Sequence, residues 1–209
     1  MKVAPSILTA DFTNLKEELE SIKNADYIHL DIMDGHFVPN ISFGPAISKK
    51  ISENTDIDLD VHLMVWQPLF WVPKFAFKRT KYITIHIESD DVKETIEAIK
   101  ELEIGVGLSI KPKTPLKDLY PYIKKADLIL IMTVEPGFGG QSFMEDQLTK
   151  VKELVKYREK NKLDFMIEVD GGINDETIDA CREAGVDIVV AGSYIFNMKN
   201  RKEGIESLK

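Results

Sequence analysis

The sequence predicts a closed barrel of eight parallel strands, a (β/α)8 or TIM barrel, and three observations carry that prediction. Short apolar runs alternate with longer segments of helical period eight times along the 209 residues, which is the pattern of repeated βα units. The length sits near the lower end of the roughly 200 to 250 residues that such barrels occupy. It leaves room for one barrel domain over residues 1–209 and little for insertions. The main rival, an open doubly wound sheet, usually carries a glycine-rich turn after its first strand. Here that turn reads Thr9-Ala10-Asp11.

Taken in order, the strand-like runs cover residues 3–8, 27–33, 59–65, 82–87, 106–110, 128–134, 165–170 and 188–191. Between them Phe12, Leu15, Leu19 and Ile22 recur at helical spacing, as do Val92, Ile96 and Ile99, and then Leu148, Val151, Leu154 and Val155. One local conflict falls in WQPLFWVPKFAF at 66–77, where the third helix belongs but Pro73 breaks or kinks it. Two short pieces, or a helix starting near Pro73, are expected there. The aromatic density of this segment suits either packing on the barrel or a contact between copies, since Trp and Phe are enriched at interfaces. A homo-oligomer is the expectation.

The composition, 44% hydrophobic and 30% charged, is that of an ordinary globular chain. A net charge of −8 and a pI near 5.1 argue against a nucleic-acid surface, which needs a basic face. They allow an anionic substrate, because backbone N–H groups and helix N-termini hold phosphate without arginine. No apolar run approaches the ~20 residues of a membrane span, and no leader-like stretch precedes the first strand. A cytoplasmic protein without membrane partners is expected. The single cysteine, Cys181, shares an apolar helical stripe with Ile178 and Ala184 and reads as a packed thiol.

Chemistry concentrates at the predicted strand ends. His29 and Asp31 stand two apart, so on a strand they point to the same side. His62 and Asp170 each lie near the end of another apolar run. Any one of these alone reads as a hydrogen-bonded buried polar group. Four at matching positions read as ligands for one divalent ion, and imidazole with carboxylate admits zinc, iron, manganese or cobalt. In these barrels active sites lie at the C-terminal ends of the strands, which is where all four fall. Met33, Met64 and Met132 fall there too, as core filling or as a water-excluding wall.

Three glycine clusters follow strands six, seven and eight: Gly137-Phe138-Gly139-Gly140, Gly171-Gly172 and Gly192-Ser193. Loops after strands seven and eight often build a barrel phosphate site, so the expected type is a phosphate-binding barrel. The first cluster, opened by Pro136, is long enough to act as a lid. Ser6, at the end of the first strand, serves a substrate oxygen or the barrel's own packing. His36 lies in a loop, and His86 lies in a strand with no carboxylate of matching direction nearby; neither enters the expected site. Lys111, at the end of strand five, offers a rival chemistry, a Schiff base to a keto-sugar phosphate as in an aldolase.

At these residues the chain resembles the ribulose-phosphate 3-epimerase family. The likeness spans nearly the whole length: APSIL at 4–8, HLDIMDGHFVPN at 29–40, SFGP at 42–45, DVHLMV at 60–65, MTVEPGFGGQ at 132–141, EVDGGI at 168–173 and VAGS at 190–193. The resemblance implies interconversion of D-ribulose 5-phosphate and D-xylulose 5-phosphate, a step of the pentose phosphate pathway. It implies His29, Asp31, His62 and Asp170 as metal ligands, and Asp31 with Asp170 as the acid/base pair. It further implies Ser6, His62, Asp170 and the three glycine clusters as contacts to a sugar phosphate. An allulose 6-phosphate 3-epimerase is the near alternative, although Ser42-Phe43-Gly44-Pro45 and Gly172 look more like the pentulose branch. A Lys111 lyase and a non-catalytic sugar-phosphate sensor are the distant ones. The chain departs from the family pattern at Lys78-Arg79-Thr80 and in a short tail after Phe196, where an abbreviated last helix is expected.

Overall fold

In the computed structural model, which describes residues 1–209, eight strands run parallel in the order β1-β8-β7-β6-β5-β4-β3-β2. The strands are β1 Lys2–Pro5, β2 Tyr27–Met33, β3 Asp58–Met64, β4 Thr80–His86, β5 Gly105–Ile110, β6 Leu128–Met132, β7 Met166–Asp170 and β8 Ile188–Ala191. A single bridge between Ser6 and His29 joins the free edges of β1 and β2, so the sheet closes on itself. The helices are α1 Leu15–Ser21, α2 Pro45–Glu53, α3 Pro68–Trp71, α4 Val92–Glu101, α5 Leu148–Asn161, α6 Ile178–Ala184, α7 Ser193–Phe196 and α8 Arg201–Leu208.

The strand β2 shows why the sequence folds this way. All seven of its residues are buried, as expected of a strand covered on both faces. The even-numbered Ile28, Leu30 and Ile32 join the large apolar cluster between barrel and helices. The odd-numbered side chains face the lumen. Tyr27 packs in the interior cluster at one end, and Met33 joins Phe37, Val38 and Met64 at the other. His29 and Asp31 lie between them on the same side, because alternate residues of a strand share a face. The polar pair is thereby sunk into the barrel, with an apolar layer below and above.

Two expectations need adjusting. The first run extends as a strand only to Pro5; Ile7–Thr9 turns as a short 3-10 segment, with the Ser6 hydroxyl accepting from the Leu8 N–H. The repeat after β5 carries no α-helix but two 3-10 turns, Leu116–Leu119 and Ile123–Lys125. Pro112, Pro115 and Pro121 lie in and around them, and each lacks an N–H and clashes with a continuing helix. Around Pro73 the chain forms two short pieces, α3 and the 3-10 turn Val72–Lys74. Val72 and Phe75 there are fully buried, whereas Trp66 and Phe70 are exposed. The last helix, α8, has eight residues. Cys181 is buried in the core, and burial pushes its thiol up to about 12. No helix is long and apolar enough to cross a membrane.

Candidate active site at the barrel mouth

Strand register assembles the polar centre. β2 and β3 pair so that His29 lies opposite Asp60 and Asp31 opposite His62. Two alternate rungs, both facing the lumen, therefore each carry one histidine and one aspartate, in crossed order. β7 adds Asp170, level with Met132 of β6. The ligand atoms of His29, Asp31, His62 and Asp170 all lie within 4.8 Å of one another. His29 and His62 are fully buried.

The hydrogen bonds determine which atoms point inward. Nδ1 of His29 lies 2.5 Å from Asp60 Oδ2, so its other nitrogen, Nε2, is the one free to act. That Nε2 sits 3.4 Å from Asp31 Oδ1 but makes no hydrogen bond. His62 turns Nδ1 into the same space, 3.2 Å from Asp31 Oδ1 and 3.9 Å from Asp170 Oδ2. The Ser6 hydroxyl donates to Asp31 Oδ2 at 2.6 Å, and the Ser42 hydroxyl donates to the Asp31 carbonyl at 2.5 Å.

The two aspartates are driven in opposite directions. Burial alone would raise Asp31, but His29 and His62 facing it hold its carboxyl far below the usual range. Burial and the neighbouring charge of Asp31 push Asp170 up to about 7. Burial lowers His62, keeping the neutral form a ligand needs. Burial also opposes charge on His29, yet Asp31 and Asp60 outweigh it and raise its pKa well above the ordinary value. A cluster this rich in buried carboxylates is left short of positive charge, which a buried proton or a cation must supply.

The residues fit a metal ion. An orphaned, fully buried imidazole nitrogen, a second imidazole nitrogen and two carboxylates converge, and an N/O set of this kind suits a borderline divalent cation. The Asp60 carboxylate behind His29 matches the usual outer partner of a ligating histidine. A second group, His29 with Asp60 and Glu168, lies close together deeper in the barrel. Its His29 nitrogen is already spent on Asp60. Glu168 is fully buried, and burial together with Asp60 raises its pKa well above the ordinary value, favouring the neutral acid.

Above this centre opens a cavity of about 640 Å³. Ser6, Asp31, Asp170 and all three glycine clusters line it, from Gly137, Phe138, Gly139 and Gly140 through Gly171 and Gly172 to Gly192 and Ser193. Met33, Met64 and Met132 form its inner wall. The loops interlock: the Asn40 amide donates to Gly137 O at 2.8 Å. Gly172 adopts φ 71°, and a Cβ there would lie 2.5 Å from the Phe143 backbone nitrogen. Only glycine permits both that conformation and that approach.

Two residues set aside from sequence part company here. His36 is exposed and bonds only around its own turn, Nδ1 lying 3.2 Å from Asp34 O. His86 belongs to the site after all: its Nε2 lies 2.9 Å from His62 Nε2, and its Nδ1 lies 3.3 Å from Glu88 Oε2. The carboxylate judged absent is two residues on, on the turn that follows β4. Asp60 and Glu168 were also missed, although each stands two residues before a candidate ligand and so shares its face of the strand. Lys111 does not line the cavity; its ammonium sits 3.7 Å from the Phe37 ring centre and donates to Phe37 O at 3.4 Å.

Comparison with known proteins adds family and fold. The model of the ribulose-phosphate 3 epimerase family matches residues 2–196. The ribulose-phosphate 3-epimerase of Helicobacter pylori (strain ATCC 700392 / 26695) is 43% identical, the alignment covering 100% of this chain and 97% of the relative. That of Bacillus subtilis (strain 168) is also 43% identical, over 100% and 98%. Among solved structures, KGPDC from Streptococcus mutans in complex with D-R5P superposes with a TM-score of 0.78 at 13% identity, covering 99% of this chain and 94% of that one. A 3-hexulose-6-phosphate synthase gives 0.73 at 16%, covering 100% and 98%. At such identities the structural likeness speaks for the shared barrel alone.

Proposed function

This chain belongs to the ribulose-phosphate 3-epimerase family, and we propose that it inverts carbon 3 of a pentulose 5-phosphate, interconverting D-ribulose 5-phosphate and D-xylulose 5-phosphate. The observation that carries this reading is the opposed pair of carboxyls, Asp31 and Asp170, at one cavity floor with their proton affinities driven apart. Inverting a carbon beside a ketone requires taking a proton from one face and returning one to the other. Asp31 on β2 and Asp170 on β7 approach from different sides of the barrel, so one carboxylate accepts the carbon-3 proton while the other carboxyl donates its own. A carboxyl near 7 is matched to that shuttle at neutral pH. The Asp170 carboxyl makes no hydrogen bond to protein, His62 Nδ1 lying 3.9 Å away, which leaves it free to face substrate; Asp31 is steadied by Ser6.

His29, His62, Asp31 and Asp170 would hold one divalent cation, zinc, iron, manganese or cobalt. When bound, such an ion supplies Lewis-acid stabilisation, worth about several kcal/mol, for the negative charge left on the substrate as the hydrogen departs. The methionine wall limits water around that charge, strengthening the field of the fixed groups. Backbone N–H groups at Gly171, Gly172, Gly192 and Ser193 suit the phosphate, with Gly137 to Gly140 closing over it. We place the protein in the cytoplasm, as a single barrel domain without nucleic-acid or membrane partners. The exposed Trp66 and Phe70 support a homo-oligomer.

Incubating the protein with ribulose 5-phosphate in deuterium oxide should introduce label at carbon 3 and produce xylulose 5-phosphate. Label without a new epimer, or faster turnover of allulose 6-phosphate, would move the assignment elsewhere.

A further inference from the structure

We infer that His86 and Glu88 are positioning residues: together they hold His62 in the tautomer whose Nδ1 lone pair faces the ligand cluster. This rests on the metal reading above. The two imidazole Nε2 atoms of His62 and His86 lie 2.9 Å apart, and both side chains are fully buried. Between two neutral rings at that distance there is one proton, so one nitrogen donates and the other accepts. If His62 is the donor, its Nδ1 is bare and can ligate. If His86 is the donor, His62 must carry its proton on Nδ1, the atom that points at Asp31 and Asp170, and it cannot ligate.

With no ion bound, Asp31 Oδ1, 3.2 Å from His62 Nδ1, favours a proton on that nitrogen; Glu88 favours the opposite arrangement, the one an ion requires. Its Oε1 accepts from the Lys111 N–H at 2.8 Å and from the Thr114 hydroxyl. Its Oε2 faces His86 Nδ1 at 3.3 Å. Burial would raise the Glu88 carboxyl, but the contacts from His86, Thr114 and Lys111 together outweigh it and hold it below its usual range, at about 2. An ionised carboxylate only accepts, so His86 must present Nδ1–H to it. That leaves His86 Nε2 as the acceptor for His62 Nε2–H, and frees His62 Nδ1. The opposite arrangement would aim a lone pair of His86 at a carboxylate. His29 is held in the same sense by Asp60 over one step; His62 needs two.

The substitution Glu88→Gln inverts this chain with little change of shape. The Lys111 N–H can only donate, so the Gln carbonyl must face it and the amide NH2 must face His86 Nδ1. Nδ1 then becomes an acceptor, the His86 proton moves to Nε2, and His62 is driven to the Nδ1–H form. The first measurement is a two-bond 1H–15N correlation spectrum of the Zn(II)-loaded wild type and of E88Q. It should show His86 protonated on Nδ1 and His62 on Nε2 in the wild type, and His86 protonated on Nε2 in E88Q. The second is a competition titration of Zn(II) or Co(II) against a chelating dye, in which E88Q should bind about 10–100-fold more weakly, the usual cost of losing an outer partner of a ligating histidine. A wild-type His86 protonated on Nε2 in the Zn(II)-loaded protein overturns the inference without reference to any variant's folding. Tight wild-type binding with an unchanged constant in E88Q overturns the relay alone. A wild type that takes up neither ion overturns the metal reading and this inference with it.

Discussion

The two sides of the barrel mouth are built from different materials. On the β2–β3 side the proposed chemistry rests on side chains: His29, Asp31, Asp60 and His62 are buried and set on paired rungs, with His29 hydrogen-bonded to Asp60 and His62 to Asp31. On the β6–β8 side, apart from Asp170, the proposed phosphate contacts are backbone: Gly137, Gly140, Gly171 and Gly172 all adopt positive φ, and Phe138 stands 55% exposed on its loop. The first arrangement holds charges where a fraction of an ångström matters, because strands in register cannot slide. The second offers N–H groups that an anion can approach closely. Chemistry and phosphate binding can therefore be damaged separately.

The largest effect should come from stripping divalent ions with a chelator. Turnover should fall by about a thousandfold or more, the rate equivalent of several kcal/mol, and return on adding back metal. Full activity in a verified metal-free sample would remove the premise of the strand side. Asp170→Asn should lower kcat by about 10²–10⁴ with the barrel intact. The same variant should also be more stable than the metal-free wild type. A carboxyl raised to about 7 in the fold prefers its protonated form there, so its ionisation costs stability in full above pH 7. That cost fades as pH falls through 7 toward the ordinary carboxylate range. A higher melting temperature for D170N than for the metal-free wild type at pH 8, with the gap narrowing by pH 5, is the expected signature.

Asp60→Asn leaves every ligand in place yet should weaken metal binding by about 10–100-fold, measured by dye competition. An unchanged constant would mean that His29 does not depend on its partner. Gly172→Ala tests the loop side. A Cβ at φ 71° and 2.5 Å from Phe143 N should displace the loop and raise KM by about tenfold, equivalent to about 1.4 kcal/mol, with kcat changed far less. A fall in kcat with constant KM would erase the division of labour between the two sides. The smallest effect is in pH. Metal affinity should rise across roughly pH 6 to 8, because a proton on Asp170 must leave before the ion can bind; a flat profile would count against Asp170 as a ligand.

How much of this was legible in sequence depended on the range of the signal. Alternating apolar runs and helical segments predicted the barrel because both periods are local properties of the chain. The helix missing after β5 was foreshadowed by Pro112, Pro115 and Pro121, but periodicity did not weigh them. His29 and Asp31 were legible as a pair because a strand repeats every two residues. His86 was misjudged because its partners come from elsewhere: His62 from the neighbouring strand, and Glu88 from a turn that carries its carboxylate back toward the ring.

The order of residues by itself determined which side chains face the lumen, since alternation along each strand leaves no choice once the apolar face is set. It likewise determined that the loops after β6, β7 and β8 are glycine-rich. Only tertiary structure decided how neighbouring strands align, and with it that His29 meets Asp60, Asp31 meets His62, and Asp170 arrives from across the lumen. Register is a contest between whole strands for the best burial of their shared faces. Proton affinities, which depend on what lies within a few ångströms in space, could be read only after that contest was resolved.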